Sequence, residues 1–123
     1  MRYAKTIVAV AAVAGILATA PTASAFTAPS SIVPYMPANN VVTVSKLNSN
    51  IAGVDQYMCS TGVVLSVTAN TPMSTVQKLA ASNLAFSKFK NATLTAAQRF
   101  NPIQLQQATI WFMNNIGRPL YGL

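Results

Sequence analysis

Hydrophobic and polar positions change their rhythm three times along the chain, and each change predicts a different kind of element. The first 25 residues carry Arg2 and Lys5, then an apolar or small run from Ile7 to Ala18, then Pro21 and the small triplet Ala23-Ser24-Ala25. A positive start, an apolar middle and small residues at the end form the pattern of a secretory signal peptide over 1–25. The alternative, a retained membrane anchor, needs roughly 20 apolar residues to cross a bilayer. Pro21 closes this run early.

Residues 26–40, FTAPSSIVPYMPANN, hold Pro29, Pro34 and Pro37. Proline fixes φ and withholds a donor from any ladder, so this segment is expected as an extended arm, either loose or laid along a partner. From Val41 the period becomes two. Val41 to Leu47 is rich in β-branched residues with Val42 and Val44 on one face, and Val63 to Ala69 alternates Val63, Leu65 and Val67 against Val64, Ser66 and Thr68. Both read as strands. Between them, Ile51 to Ser60 is ambiguous, with a second strand around Gln56 to Cys59 favoured over a helix.

After Asn70 the period becomes 3.6. Thr71 and Pro72 predict an N-cap and first helical position, and Ser74 to Gln77 offers a capping box three residues later. Met73, Val76, Leu79, Ala80, Leu84 and Phe86 then share a broad face opposite Gln77, Lys78, Ser82 and Lys88, in an amphipathic helix running to about Lys90. Thr95 to Gln98 fits another capping box. A last helix is expected from Pro102 to Ile116, capped by Asn101 and ended by Gly117, and its apolar second half predicts the most buried element. The 41–123 segment therefore reads as a small α+β domain, two or three short antiparallel strands followed by two or three packed helices. A small all-α bundle is the alternative.

Charge changes this picture more than length does. Only 7% of residues are charged, against about 25% in average soluble domains. Of the eight basic residues, Arg2 and Lys5 lie in the leader, so six cations face the single acid, Asp55, for a net +5 over 26–123. An unopposed positive field draws a protein to anionic partners.

There is no histidine and only one carboxylate side chain. Paired-carboxylate hydrolysis, histidine-dependent nucleophilic catalysis and zinc or calcium cages each need residues that are missing, so no enzyme activity and no cofactor are expected. Ser87-Lys88-Phe89-Lys90 fits S-x-x-K, but the companion S-D-N and K-T-G motifs are absent. Cys59 is the single cysteine; it is either buried as a small apolar side chain or used in an intermolecular disulfide. Asn91-Ala92-Thr93 is a candidate N-glycosylation sequon, expected in an interhelical turn.

Lys78, Lys88, Lys90 and Arg99 form the cationic concentration, interleaved with Phe86, Phe89 and Phe100. These four are the candidate contacts to an anionic surface, and a core helix with solvated lysines is the bland alternative. The expectation is a small secreted, extracellular or periplasmic, non-catalytic binding protein whose partner is an anionic surface or lipid headgroups. Export disfavours nucleic acid. Two other readings stand beside it: a membrane-active factor using the amphipathic helix 72–90, and a structural subunit of an extracellular or virion assembly, an oligomer joined through the 26–40 arm or Cys59.

Overall fold

The structure is a computed structural model and describes residues 26–123. The signal-peptide reading of 1–25 lies outside the described residues. Three strands, β1 (Val44–Lys46), β2 (Val54–Cys59) and β3 (Val64–Thr68), form an antiparallel sheet in chain order. Helices follow: α1 (Met73–Thr93), α2 (Ala96–Arg99), α3 (Pro102–Phe112) and α4 (Arg118–Tyr121). The chain is an α+β fold, and the all-α alternative falls with the sheet.

The register explains which side chains meet the helices. Val44 pairs with Cys59, Tyr57 with Leu65 and Asp55 with Val67, so Val44, Cys59, Tyr57, Leu65 and Val67 share one face by the period-two alternation of strands. Val42, Cys59 and Ala80 of α1 make the core beneath the sheet, with Val44, Leu65 and Leu84 packed against them. Val63, expected to point inward, is exposed, because the strand proper starts one residue later. The β2–β3 turn needs Gly62, whose φ of 88° follows a turn closed by Gly62 N–H to Cys59 O (2.9 Å). A three-residue loop ending in a left-handed glycine is a standard hairpin closure.

The larger core is aromatic. Phe89 is fully buried and its ring meets those of Phe26, Tyr35, Trp111 and Phe112 at centroid distances of 5.8, 5.5, 5.5 and 5.3 Å. Phe26 and Tyr35 both belong to the segment expected to be an arm. Instead, Val33–Tyr35 and Pro37–Asn39 form two 3-10 turns laid on α1, Tyr35 is buried, and Lys88 Nζ donates to Asn39 O at 3.1 Å. The three prolines do not keep the segment extended, because Pro34 and Pro37 sit in the first turns of these short helices, where a missing N–H costs nothing. Among the described residues, the packed body thus includes Phe26 and Tyr35, ahead of Val41.

Helix α1 differs from expectation at both ends and on its faces. Thr71 Oγ1 donates back to Thr68 O, so Pro72 takes the N-cap position without a side-chain cap, and the helix continues to Thr93. Val76, Ala80, Ser82, Ala85 and Phe89 are buried while Met73 is 46% exposed. The buried set is wider than one stripe because α1 is covered by the sheet on one side and by α3 and the N-terminal turns on others. The expected capping box is present: Gln98 N–H donates to Thr95 Oγ1 and Thr95 N–H to Gln98 Oε1. Asn101 caps α3 as expected, its Oδ1 accepting from the amides of Ile103 and Gln104.

The last helix does not stop at Gly117. After Phe112 it widens into a π turn, Met113–Gly117, and re-forms as α4 through Pro119. Proline at 119 has no amide to offer the carbonyl four residues back, and a widened turn absorbs that missing bond. Gly117 is buried and helical, and a Cβ there would lie 3.1 Å from Met113 Sδ. Gly122, with φ of 69°, provides the left-handed cap. Nor is α3 the most buried element, since Ile103 and Ile110 are 66% and 52% exposed.

Candidate functional site

The four expected cations do not form one site. On a helix rising about 1.5 Å per residue, Lys78 and Lys88 stand about 15 Å apart along the axis of α1. Lys88 is tied to Asn39 O, Lys90 Nζ lies 4.5 Å from the centroid of the Phe86 ring, and Arg99 Nη1 donates to Asn91 Oδ1 at 3.1 Å. Each is held by a different neighbour. The interleaved aromatics divide too: Phe89 is core, Phe86 stacks on the core rings, and Phe100 alone is open to solvent. Helix α1 has placed Val76, Ala80, Ala85 and Phe89 in the interior, which leaves no free apolar stripe on it for a bilayer. Among the described residues, no helix is long and apolar enough to cross a membrane.

Two other candidates are relocated. Cys59 is 5% exposed beneath the sheet, so the buried alternative describes it and an intermolecular disulfide would require the sheet to open. Asn91 is exposed, but it lies in the last turn of α1 and not in a loop, with Thr93 Oγ1 donating to Phe89 O.

Of the four, Lys78 borders a groove of about 510 Å³ that runs between residues 37–43, α1 and the C-terminal tail, with Val41, Val42, Ala81 and Leu120 as apolar walls and Ser74, Gln77 and Lys78 along one side. That volume falls within the roughly 300–1,000 Å³ of small-molecule sites. The Lys78 ammonium reaches the end of α4, where a Cβ added to Gly122 would sit 3.8 Å from Nζ. Among the described residues the ion pair present is Lys46 with Asp55, 3.6 Å apart. Lys78 therefore lines an apolar groove and makes no ion pair among the described residues.

Asn40 and Tyr121 form the inner wall. Asn40 is fully buried; its Nδ2 donates to Pro34 O and Met36 O, both at 2.9 Å, and its Oδ1 has no hydrogen-bond partner. Tyr121 donates its hydroxyl to Tyr35 O at 2.6 Å, across 86 residues of chain. Burial pushes the Tyr121 hydroxyl above its ordinary pKa, and the Asn40 side chain offsets part of that rise. A phenol held neutral in the fold stabilises the protein below its unfolded pKa of about 10, and that stability is lost as pH rises from there to the higher folded value. Tyr121→Phe should cost about 1–2 kcal/mol at neutral pH by orphaning a buried carbonyl. Its deficit relative to the native chain should shrink above pH 10, read from denaturant midpoints across pH.

Sequence reasoning found Lys78 but missed the groove, which is assembled from segments some 80 residues apart. The Pro-Ala-Asn-Asn turn before a strand was the available signal, since a buried asparagine commonly fastens such turns. Comparison with protein-family models, curated proteins and solved structures finds no match to this chain.

Proposed function

We propose that the chain is an exported, non-catalytic binding protein that holds an amphipathic anion in the groove beside Lys78. Export is supported by the leader pattern of 1–25, and the non-catalytic reading by the lack of histidine and of any second carboxylate side chain. The observation that carries the reading is the pairing of an apolar groove with an ammonium that makes no ion pair among the described residues. The apolar walls would take a hydrocarbon or side-chain body, and Lys78 would take the acidic head by a charge-assisted hydrogen bond.

Dodecanoate is a suitable probe. Calorimetric titration of residues 26–123 should show saturable binding that weakens about tenfold in Lys78→Gln, the loss of one charged hydrogen bond of about 1.5 kcal/mol. Dodecyltrimethylammonium should bind the native chain more weakly than dodecanoate. Equal affinity for both amphiphiles, or no response to Lys78→Gln, would remove the anion from the reading.

A further inference from the structure

We propose that the free edge of β3 docks a second copy of this chain, the two strands pairing antiparallel about Ser66. The two ends of the ladder fix which backbone groups are free: Cys59 N–H donates to Val63 O (2.9 Å) and Ala69 N–H to Gly53 O (3.0 Å). In an antiparallel pair, bonded and non-bonded residues alternate. Val63, Leu65, Val67 and Ala69 therefore face β2 with their polar groups, and Val64, Ser66 and Thr68 turn theirs to the open side. Among the described residues, no backbone bond from outside the sheet reaches Val64 or Ser66, and Thr68 O accepts from Thr71 N–H at 3.2 Å. The three outward residues are also the exposed ones of β3.

Natural edge strands are blunted by lysine, proline, a bulge or a covering segment. Residues 63–69, VVLSVTA, contain none of the first two, and β3 pairs with β2 in unbroken register. An uncharged, β-branched stretch left this way is a template for another strand.

Charge and symmetry select the occupant. From Gln56 to Gln77 the chain has no charged residue, so two copies of a net-positive protein meet here without opposing like charges. A two-fold axis at Ser66 places Ser66 opposite Ser66 of the second copy and Val64 opposite Thr68 of the second copy; the Ser66 pair exchanges amide-to-carbonyl bonds both ways and each Thr68 N–H donates to the facing Val64 O, Thr68 O being already taken by the Thr71 amide and hydroxyl. Leu65 then neighbours Val67 of the second copy on the helix-facing side. The result is a continuous six-stranded sheet. This inference is independent of the groove, since it uses none of its residues.

Sedimentation velocity of residues 26–123 in reductant should show a monomer–dimer equilibrium between about 10 μM and 1 mM, where an interface of small area is expected to act. Ser66→Lys and Ser66→Glu each set like charges across the axis and should weaken dimerisation at least about tenfold. Mixing the two variants should restore it. Hydrogen exchange of the native chain gives a readout that needs no variant: the Ser66 and Thr68 amides should slow as concentration rises, while Leu65 and Val67 stay protected throughout. A native chain that stays monomeric to 1 mM, a Ser66→Lys variant that dimerises as well as the native chain, or Ser66 exchange indifferent to concentration would each overturn the proposal.

Discussion

Replacing Phe89 with alanine is expected to destabilise the protein by about 3–5 kcal/mol, the range for truncating a fully buried phenylalanine. The whole stability of a domain this size is about 5–15 kcal/mol, so the variant should be largely or wholly unfolded under mild denaturant. The size of the effect follows from where the ring sits. Trp111 stacks on it with an interplanar angle of 3°, Tyr35 meets it edge-on at 80°, and Phe26, Phe86 and Phe112 surround it. These partners come from the N-terminal segment, α1 itself and α3. Removing the ring leaves a cavity shared by all three, and none can close it alone without dragging its own element. Trp111 is the single tryptophan, so its fluorescence reports both the loss of stacking and the shifted denaturant midpoint.

Asn40→Asp should be the second most damaging change, at about 2–4 kcal/mol, and worse than Asn40→Ala. The asparagine Nδ2 holds the carbonyls of Pro34 and Met36, and an ionised carboxylate there would present acceptors to acceptors in a site with no solvent access. The aspartate's pKa would be raised in the fold. Its cost is then smallest below the unfolded value of about 4 and grows as pH rises through that point toward the folded value. Urea midpoints at pH 3 and pH 7, compared with Asn40→Ala, check both the size and the sign. A loosely attached N-terminal arm would make all three chains equally stable.

The contrast between what could and could not be read from the sequence has a physical pattern. Features decided within four or five residues were legible. The Thr95–Gln98 capping box, the Asn101 cap and the alternation of Leu65 and Val67 against Ser66 and Thr68 all stand as their local chemistry dictates. Features decided by distant partners were not. Pro29, Pro34 and Pro37 suggested an extended arm, but Tyr35 finds Phe89 and the Tyr121 hydroxyl, and burial of that ring outweighs the cost of folding the segment back.

Gly117 shows the same limit differently. Glycine after a helical run followed by Arg118-Pro119 resembles a helix stop, yet the residue is buried and helical, where a Cβ would press on the end of the Met113 side chain. The true stop is Gly122, five residues on. The candidate site was legible only as a list of cations. That Lys78 borders a groove while Lys88, Lys90 and Arg99 are each occupied with a neighbour depends on the tail and the 37–43 segment, which the helix pattern of α1 does not contain.

The claim on which this account rests is that the chain works by contact, through a groove built from residues 37–43 and 120–121 against α1. An amide chemical-shift map of residues 26–123 titrated with dodecanoate tests it most directly. The account predicts that the large shifts cluster at 40–43, 74–81 and 120–121 together, saturating in one step and fading in Lys78→Gln. Shifts confined to Phe100, Ile103 and Ile110, or scattered without saturation, would contradict it.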